Sequence, residues 1–238
     1  MKKLVIFAII AMFASTAFAG GYGRGKNIKT DTKNENLVMY LESIPVGEVD
    51  ELEIEALKFL IEEEKLARDV YTGLSEKWGI RVFDNIASAE QTHMDAVEFL
   101  FDRYGIDNPT TGLDVGRFTY VDLQDLYSAL MGKGSLSMID ALVVGATIED
   151  MDIKDLQLDI GLTDNEDLLV VFQNLMKGSR NHLRAFVGLL ESNGETYVAQ
   201  YLTQGEVDEI VTSDRERGVV DAEGKSIFSK QGGRMGKK

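Results

Sequence analysis

The chain has 238 residues, a formal net charge of −15 at pH 7, two histidines and no cysteine. Without cysteine there is neither a disulfide framework nor a thiolate metal site, so an apolar core must hold the fold and any metal must be bound through oxygen and nitrogen. The excess of carboxylates disfavours nucleic acid and anionic membranes as partners and favours cations.

In chain order, Met1-Lys2-Lys3, an apolar run from Leu4 to Phe13 and Ala17-Phe18-Ala19 before Gly20 have the layout of a secretory signal peptide, residues 1–19. The expected product is exported, periplasmic or secreted, with no membrane association after cleavage. Losing Lys2 and Lys3 leaves 23 basic against 40 acidic residues, a net charge of −17. Residues 20–50 read as a leader, flexible over Gly20–Asn36, where large apolar side chains are almost absent, with the folded chain beginning near Leu37.

From Glu51 the pattern is helical, and residues 51–194 are expected to form an all-α antiparallel four-helix bundle. The first long helix, about Glu51 to Trp78, presents Leu57, Leu60, Glu64, Ala67, Tyr71, Leu74 and Trp78 on one face, and Gly79 is its C-cap. The second, about Val82 to Tyr104, stops at Gly105 and presents Phe83, Ile86, Glu90, His93, Val97, Leu100 and Tyr104. A long crossover with Pro109 and a short helical pattern at Leu123, Leu126, Tyr127 and Leu130 separates it from the third. Such a connection lets the second and third helices run in the same direction.

The third helix, about Leu136 to Leu158, carries Met138, Leu142, Gly145, Glu149, Asp152 and Leu156 on one face. The fourth opens with Thr163-Asp164-Asn165-Glu166, read as a capping box, ends near Asn193-Gly194, and carries Leu168, Phe172, Leu175, Ser179, His182, Phe186 and Leu189. Residues 195–218 should add short amphipathic helical pieces at the bundle end, and 219–238 read as a disordered tail.

Each apolar stripe is interrupted near its middle by residues that can ligate a metal: Glu64; Glu90 and His93; Glu149 and Asp152; Ser179 and His182. Any one of them alone is more readily a misread register or a satisfied core residue than a ligand. Seven on four stripes at one level point to a shared site. No Lys or Arg lies on these stripes, although Arg68, Arg180 and Arg184 on neighbouring faces could pair from outside. Two divalent cations would balance the four carboxylates, with neutral His93 and His182 completing the ligand set.

Glu64-Lys65-Leu66-Ala67-Arg68, Glu90-Gln91-Thr92-His93, and Glu149 followed by His182 resemble the ferritin-like superfamily of ferritins, bacterioferritins, rubrerythrins and manganese catalases. Within it the chain most resembles an uncharacterised ferritin-like family, on the stretches Glu63 to Tyr71 and Gly178 to Phe186. The resemblance implies that Glu64 is a terminal ligand, Glu90 a bridge and His93 a terminal ligand, with Glu149 and His182 serving the second metal. Ser179 departs from it, standing where the superfamily has a bridging Glu; Asp152 is the candidate replacement.

The expected function is redox chemistry on iron, oxygen or peroxide by a di-metal centre of ferroxidase or peroxidase type, iron favoured by the resemblance and manganese possible. Tyr71 is a candidate catalytic residue that would pass electrons or hydrogen-bond a water at the site; otherwise it is a core tyrosine with its hydroxyl satisfied at the site's edge. The alternative function is a non-catalytic metal-binding or sensing module with an incomplete ferritin-like site, and a third reading is an interaction domain with an inner polar network. A monomer or homodimer is expected, since the extensions encumber the faces that a storage cage would tile.

Overall fold

The computed structural model describes residues 32–227 and is helical: α1 Thr32–Ser43, α2 Glu51–Trp78, α3 Arg81–Tyr104, α4 Val121–Gly134, α5 Met138–Ile160, α6 Glu166–Ser192 and α7 Gln204–Thr212. Among the described residues no strand forms beyond an isolated bridge between Val220 and Ser226. No helix among them is long and apolar enough to cross a membrane. The expected signal peptide, leader residues 20–31 and tail residues 228–238 lie outside the described residues.

Local chemistry sets the long helices' ends. Asp50 accepts from the amides of Leu52 and Glu53, and Glu53 accepts in return from the Asp50 amide, a capping box that fixes the start of α2 and contributes about 1 kcal/mol. Gly79 and Gly105 close α2 and α3 in the left-handed region, both at φ 66°, which glycine enters without a Cβ clash. The box expected at Thr163 does not form. The N-cap of α6 is Asn165, while Thr163 Oγ1 accepts from the Asn165 amide and donates to Glu53, joining the start of α6 to the start of α2.

Two further expectations are corrected. Residues 20–50 are not leader throughout: α1 starts at Thr32, a few residues before the expected folded start near Leu37, and buries Leu37 and Leu41, with Ile44 following them inward, because their spacing of four and three puts them on one helical face against α3. Nor is 219–227 disordered, since Val219 and Val220 are buried and Asn174 of α6 exchanges hydrogen bonds with the Val220 backbone.

The long helices pack α2 against α3 and α5 against α6, and further contacts join α3 to α6 and α2 to α5. Their buried side chains form two apolar clusters, and each long helix passes from one to the other, near its middle on α2, α3 and α6 and in its last third on α5. The change falls between Ile61 and Leu66 on α2, Ile86 and Met94 on α3, Ile153 and Leu156 on α5, and Leu175 and Leu183 on α6. Phe59 is the exception on α2, its ring standing edge-on to Tyr120. The polar residues singled out on the stripes lie at or beside these changes, in a layer between two oily ends.

The crossover is held to α2 by charge. Glu62 accepts from the Thr119 and Tyr120 amides just before α4. Lys65, 1 % exposed, bonds Asp69 at 2.6 Å and the Asp114 carbonyl at 2.9 Å, while Asp69 accepts from the Gly116 amide. Gly116 has φ 73° and would place a Cβ 2.7 Å from the Tyr127 ring, so both its backbone and its surroundings call for glycine.

Candidate metal centre

The stripes' geometry brings five of the expected ligands into two overlapping groups: Glu64, Glu90 and His93, and Glu90, Glu149 and His182. Within each, one ligand atom from every residue lies within 4.8 Å of the others. Glu90 belongs to both because its two oxygens diverge. Oε2 lies 2.8 Å from His93 Nδ1, and Oε1 lies 3.0 Å from His182 Nδ1. His93 Nδ1 also stands 3.1 Å from Glu64 Oε2, and His182 Nδ1 stands 3.4 Å from Glu149 Oε2. The imidazole planes stack at 26° with centroids 5.6 Å apart.

An imidazole nitrogen carries one in-plane proton or one lone pair, so it cannot serve two carboxylates at once by ordinary hydrogen bonding. Here each Nδ1 faces two. The His182 Nδ1 and Glu90 Oε1 atoms lack hydrogen-bond alignment despite their separation, and Glu64 Oε1 has no hydrogen-bond partner among the described residues, although its residue is 2 % exposed. His93 Nδ1 is hydrogen-bonded to Glu64 Oε2, but the oxygens and nitrogen left over converge with it on common points, the geometry of a ligand set. Carboxylate and imidazole suit iron, manganese or zinc, so the residues fit a pair of divalent cations.

The electrostatics show the same need for positive charge. Burial pushes the Glu64 carboxyl up to about 7, assisted by Glu90 and opposed by His93. Burial and the charges of Glu64 and Glu149 hold Asp152 well above the usual carboxylate range. Burial would lower His182, but Glu90 and Glu149 outweigh it and raise the imidazole to about 10. Burial would likewise raise Glu90, yet the two imidazoles hold it below the ordinary range. Lacking cations, the cluster takes up protons.

A family model described as "Uncharacterized protein domain (DUF2202)" matches residues 53–214. The chain belongs to that family. It is similar to the uncharacterized protein MJ0754 of Methanocaldococcus jannaschii, 49% identical over 183 residues that cover 77% of this chain and 99% of the relative. The crystal structure of hypothetical protein MJ0754 superposes with a TM-score of 0.72 at 50% identity, covering 73% of this chain and 99% of the other. The DUF2202 domain contains both ligand groups and Tyr71; α1 and residues 215–227 lie beyond the match.

Asp152 is buried in the same DUF2202 domain but belongs to neither group. Ser179 Oγ donates to its carboxylate by a short bond and also reaches the Leu175 carbonyl. Serine therefore holds the carboxylate expected to replace the missing bridge. Tyr71 is fully buried, and its hydroxyl donates to Glu149 Oε1 at 2.5 Å, with the Gly145 carbonyl 3.3 Å away. Its hydroxyl thus holds Glu149 in place.

The three arginines expected to pair with the site are engaged elsewhere. Arg68 bonds Asp69 and Gln91, while Arg180 and Arg184 hold Glu216. Gly178 was not anticipated: a Cβ there would overlap His93 Nε2, so α6 can approach the ring only with glycine. The available signal was a glycine inside a long helix, a choice that costs about 1 kcal/mol against alanine and marks close approach.

Proposed function

We propose that the chain is an exported ferritin-like protein whose four long helices form an antiparallel bundle with a long crossover between the second and third, and that it binds two divalent metal ions for redox chemistry on iron, oxygen or peroxide. The order in which the helices visit the two apolar clusters supports the bundle. α2 and α6 run from the cluster containing Leu57 and Leu168 to the one containing Tyr71 and Phe186, and α3 and α5 run the opposite way.

The observation that carries the reading is Glu90, which offers one carboxylate oxygen to each of two histidine-containing groups. Glu64 and His93 would hold the first ion, Glu149 and His182 the second, and Glu90 would bridge. Iron at both positions would supply one-electron steps toward oxygen or peroxide, and the ferritin-like resemblance favours it over manganese. The surrounding residues set orientation and charge. Tyr71 fixes Glu149 through its hydroxyl, Ser179 holds Asp152 beside the groups, and Gly178 leaves room for the His93 ring.

One observation favours the alternative of a non-catalytic metal-binding module: Asp152 is tied to Ser179 and lies outside both groups, leaving three carboxylates where four are needed for full charge balance. The deciding experiment loads the purified chain with iron(II) anaerobically, measures iron per chain, and then follows iron oxidation and peroxide consumption. Two irons with turnover above free iron support the redox protein. Binding without turnover supports the module, and no binding overturns both.

A further inference from the structure

A groove of about 1200 Å³ runs along α3 and α6 on the outer side of the two histidines. His93 and His182 line it and keep side-chain exposures of 11% and 12%, against 2% for Glu64, Glu90 and Glu149 behind them. Solvent therefore reaches the centre across the imidazoles.

The lining differs from the rest of this acidic molecule. Lys177, Arg184, Arg215 and Arg217 contribute to it, with Glu216 as its one acidic residue among the described residues, in a chain of net charge −15. Glu216 is already engaged, bonded by both nitrogens of one edge of Arg180 at 2.7 and 2.5 Å and approached by Arg184 at 3.2 Å. Arg215 and Arg217 flank it, both exposed, and among the described residues no carboxylate pairs with either. Lys177 donates to the Asn174 side chain and the Gly218 carbonyl. Below this cationic rim, Leu37, Ile86 and Val219 supply apolar wall.

Oxygen and peroxide are small and neutral, and need neither this volume nor this charge. We infer that the groove binds a small organic anion, a carboxylate or phosphate ester carrying an apolar body, against the outer face of His93 and His182. The guanidinium groups of Arg215 and Arg217 receive the anionic head, and the apolar wall takes the body. This rests on the proposed metal centre only for the anion's role as substrate or co-reactant; the binding itself depends on the groove.

The test uses the full chain, first stripped of metal and then loaded with zinc, which is diamagnetic. Benzoate and phenyl phosphate are titrated while the ring signals of the two histidines are followed by NMR. Both histidines line the groove, so both signals report on it. Saturable shifts are expected with at least one anion, the tighter binder naming the preferred head group, and none with benzyl alcohol. R215Q/R217Q should weaken binding by about tenfold or more, whereas R117Q/K133Q, which removes the same charge away from the groove, should change it less than about twofold. No saturable shift up to about 50 mM, an equal response to benzyl alcohol, or equal weakening by the two double variants overturns the inference. Zinc retained without anion binding sinks the groove and leaves the metal centre standing. Anion binding by a chain that retains no zinc does the reverse.

Discussion

Two sets of buried carboxylates share this molecule and are treated in opposite ways. Asp150 on α5, fully buried, accepts from the Tyr197 hydroxyl and from the amides of Gln200, Tyr201 and Leu202. Asp69 is matched by Lys65, Arg68 and the Gly116 amide, and Asp167 by Arg103 and the Tyr104 hydroxyl. Glu64, Glu90 and Glu149 are buried as deeply but face one another and two imidazoles, with no Lys or Arg among their ion pairs. An unpaired buried charge costs several kcal/mol. Burial alone therefore does not mark a candidate site; convergence of carboxylates on two imidazoles, without a Lys or Arg, does. The first set fastens loops to helices, and the second is the one we propose for metal ions.

Exchanging the fates of the two sets should separate them. The largest effect is expected from Glu90→Ala, which removes an oxygen from each group: bound divalent metal, measured by elemental analysis after loading and desalting, should fall from about two per chain to well under one. Asp150→Ala should act on stability instead. It leaves four donors without their acceptor and should lower unfolding stability in urea by about 3 kcal/mol, with metal per folded chain unchanged. If Asp150→Ala lost metal and Glu90→Ala kept it, the division would be wrong.

A smaller effect tests how finely the centre is shaped. Gly178→Ala gains up to about 1 kcal/mol of helix propensity but forces His93 aside, so competitive chelator titration should show metal affinity weakened by about tenfold in a protein that still folds. Unchanged affinity would mean that His93 does not need its present position.

Much of this was legible in the sequence because the relevant signals are local. Gly79, Gly105 and the three- and four-residue apolar spacing gave α2 its ends and α3 its end and inward face, and so put Glu64, Glu90 and His93 on inward faces. The start of α1 before Leu37 reads as leader because those residues are polar, whereas Leu37, Leu41 and Ile44 carry a helical face. Lys65, Asp69 and Asp150 were missed for a different reason. A single-stripe reading assumes that one face of each helix is buried, but the crossover covers a second face of α2 and residues 197–202 cover part of α5. Those contacts join residues 47 to 52 positions apart, a separation that periodicity cannot register. The cationic groove was equally hidden, since Arg215 and Arg217 reach it only after the chain has turned back beyond α7, where Glu216 meets Arg180 of α6.

The central claim is that cations occupy the place that protons take in the metal-free protein. Glu64 is raised from 4.5 to about 7 and His182 from 6.5 to about 10, so both contribute stability that is complete below the lower value and lost as pH rises through the higher. Glu90, lowered, has the opposite sign, and its contribution is lost only as pH falls below the ordinary carboxylate range. Between pH 5 and pH 8 the stripped protein should therefore weaken, while the loaded protein should hold, because its ligands are required unprotonated. The most direct measurement is thermal unfolding of stripped and metal-loaded chain at these two pH values. The account predicts a gap in Tm that is wider at pH 8 than at pH 5; a stripped protein as heat-resistant as the loaded one at pH 8 would contradict it.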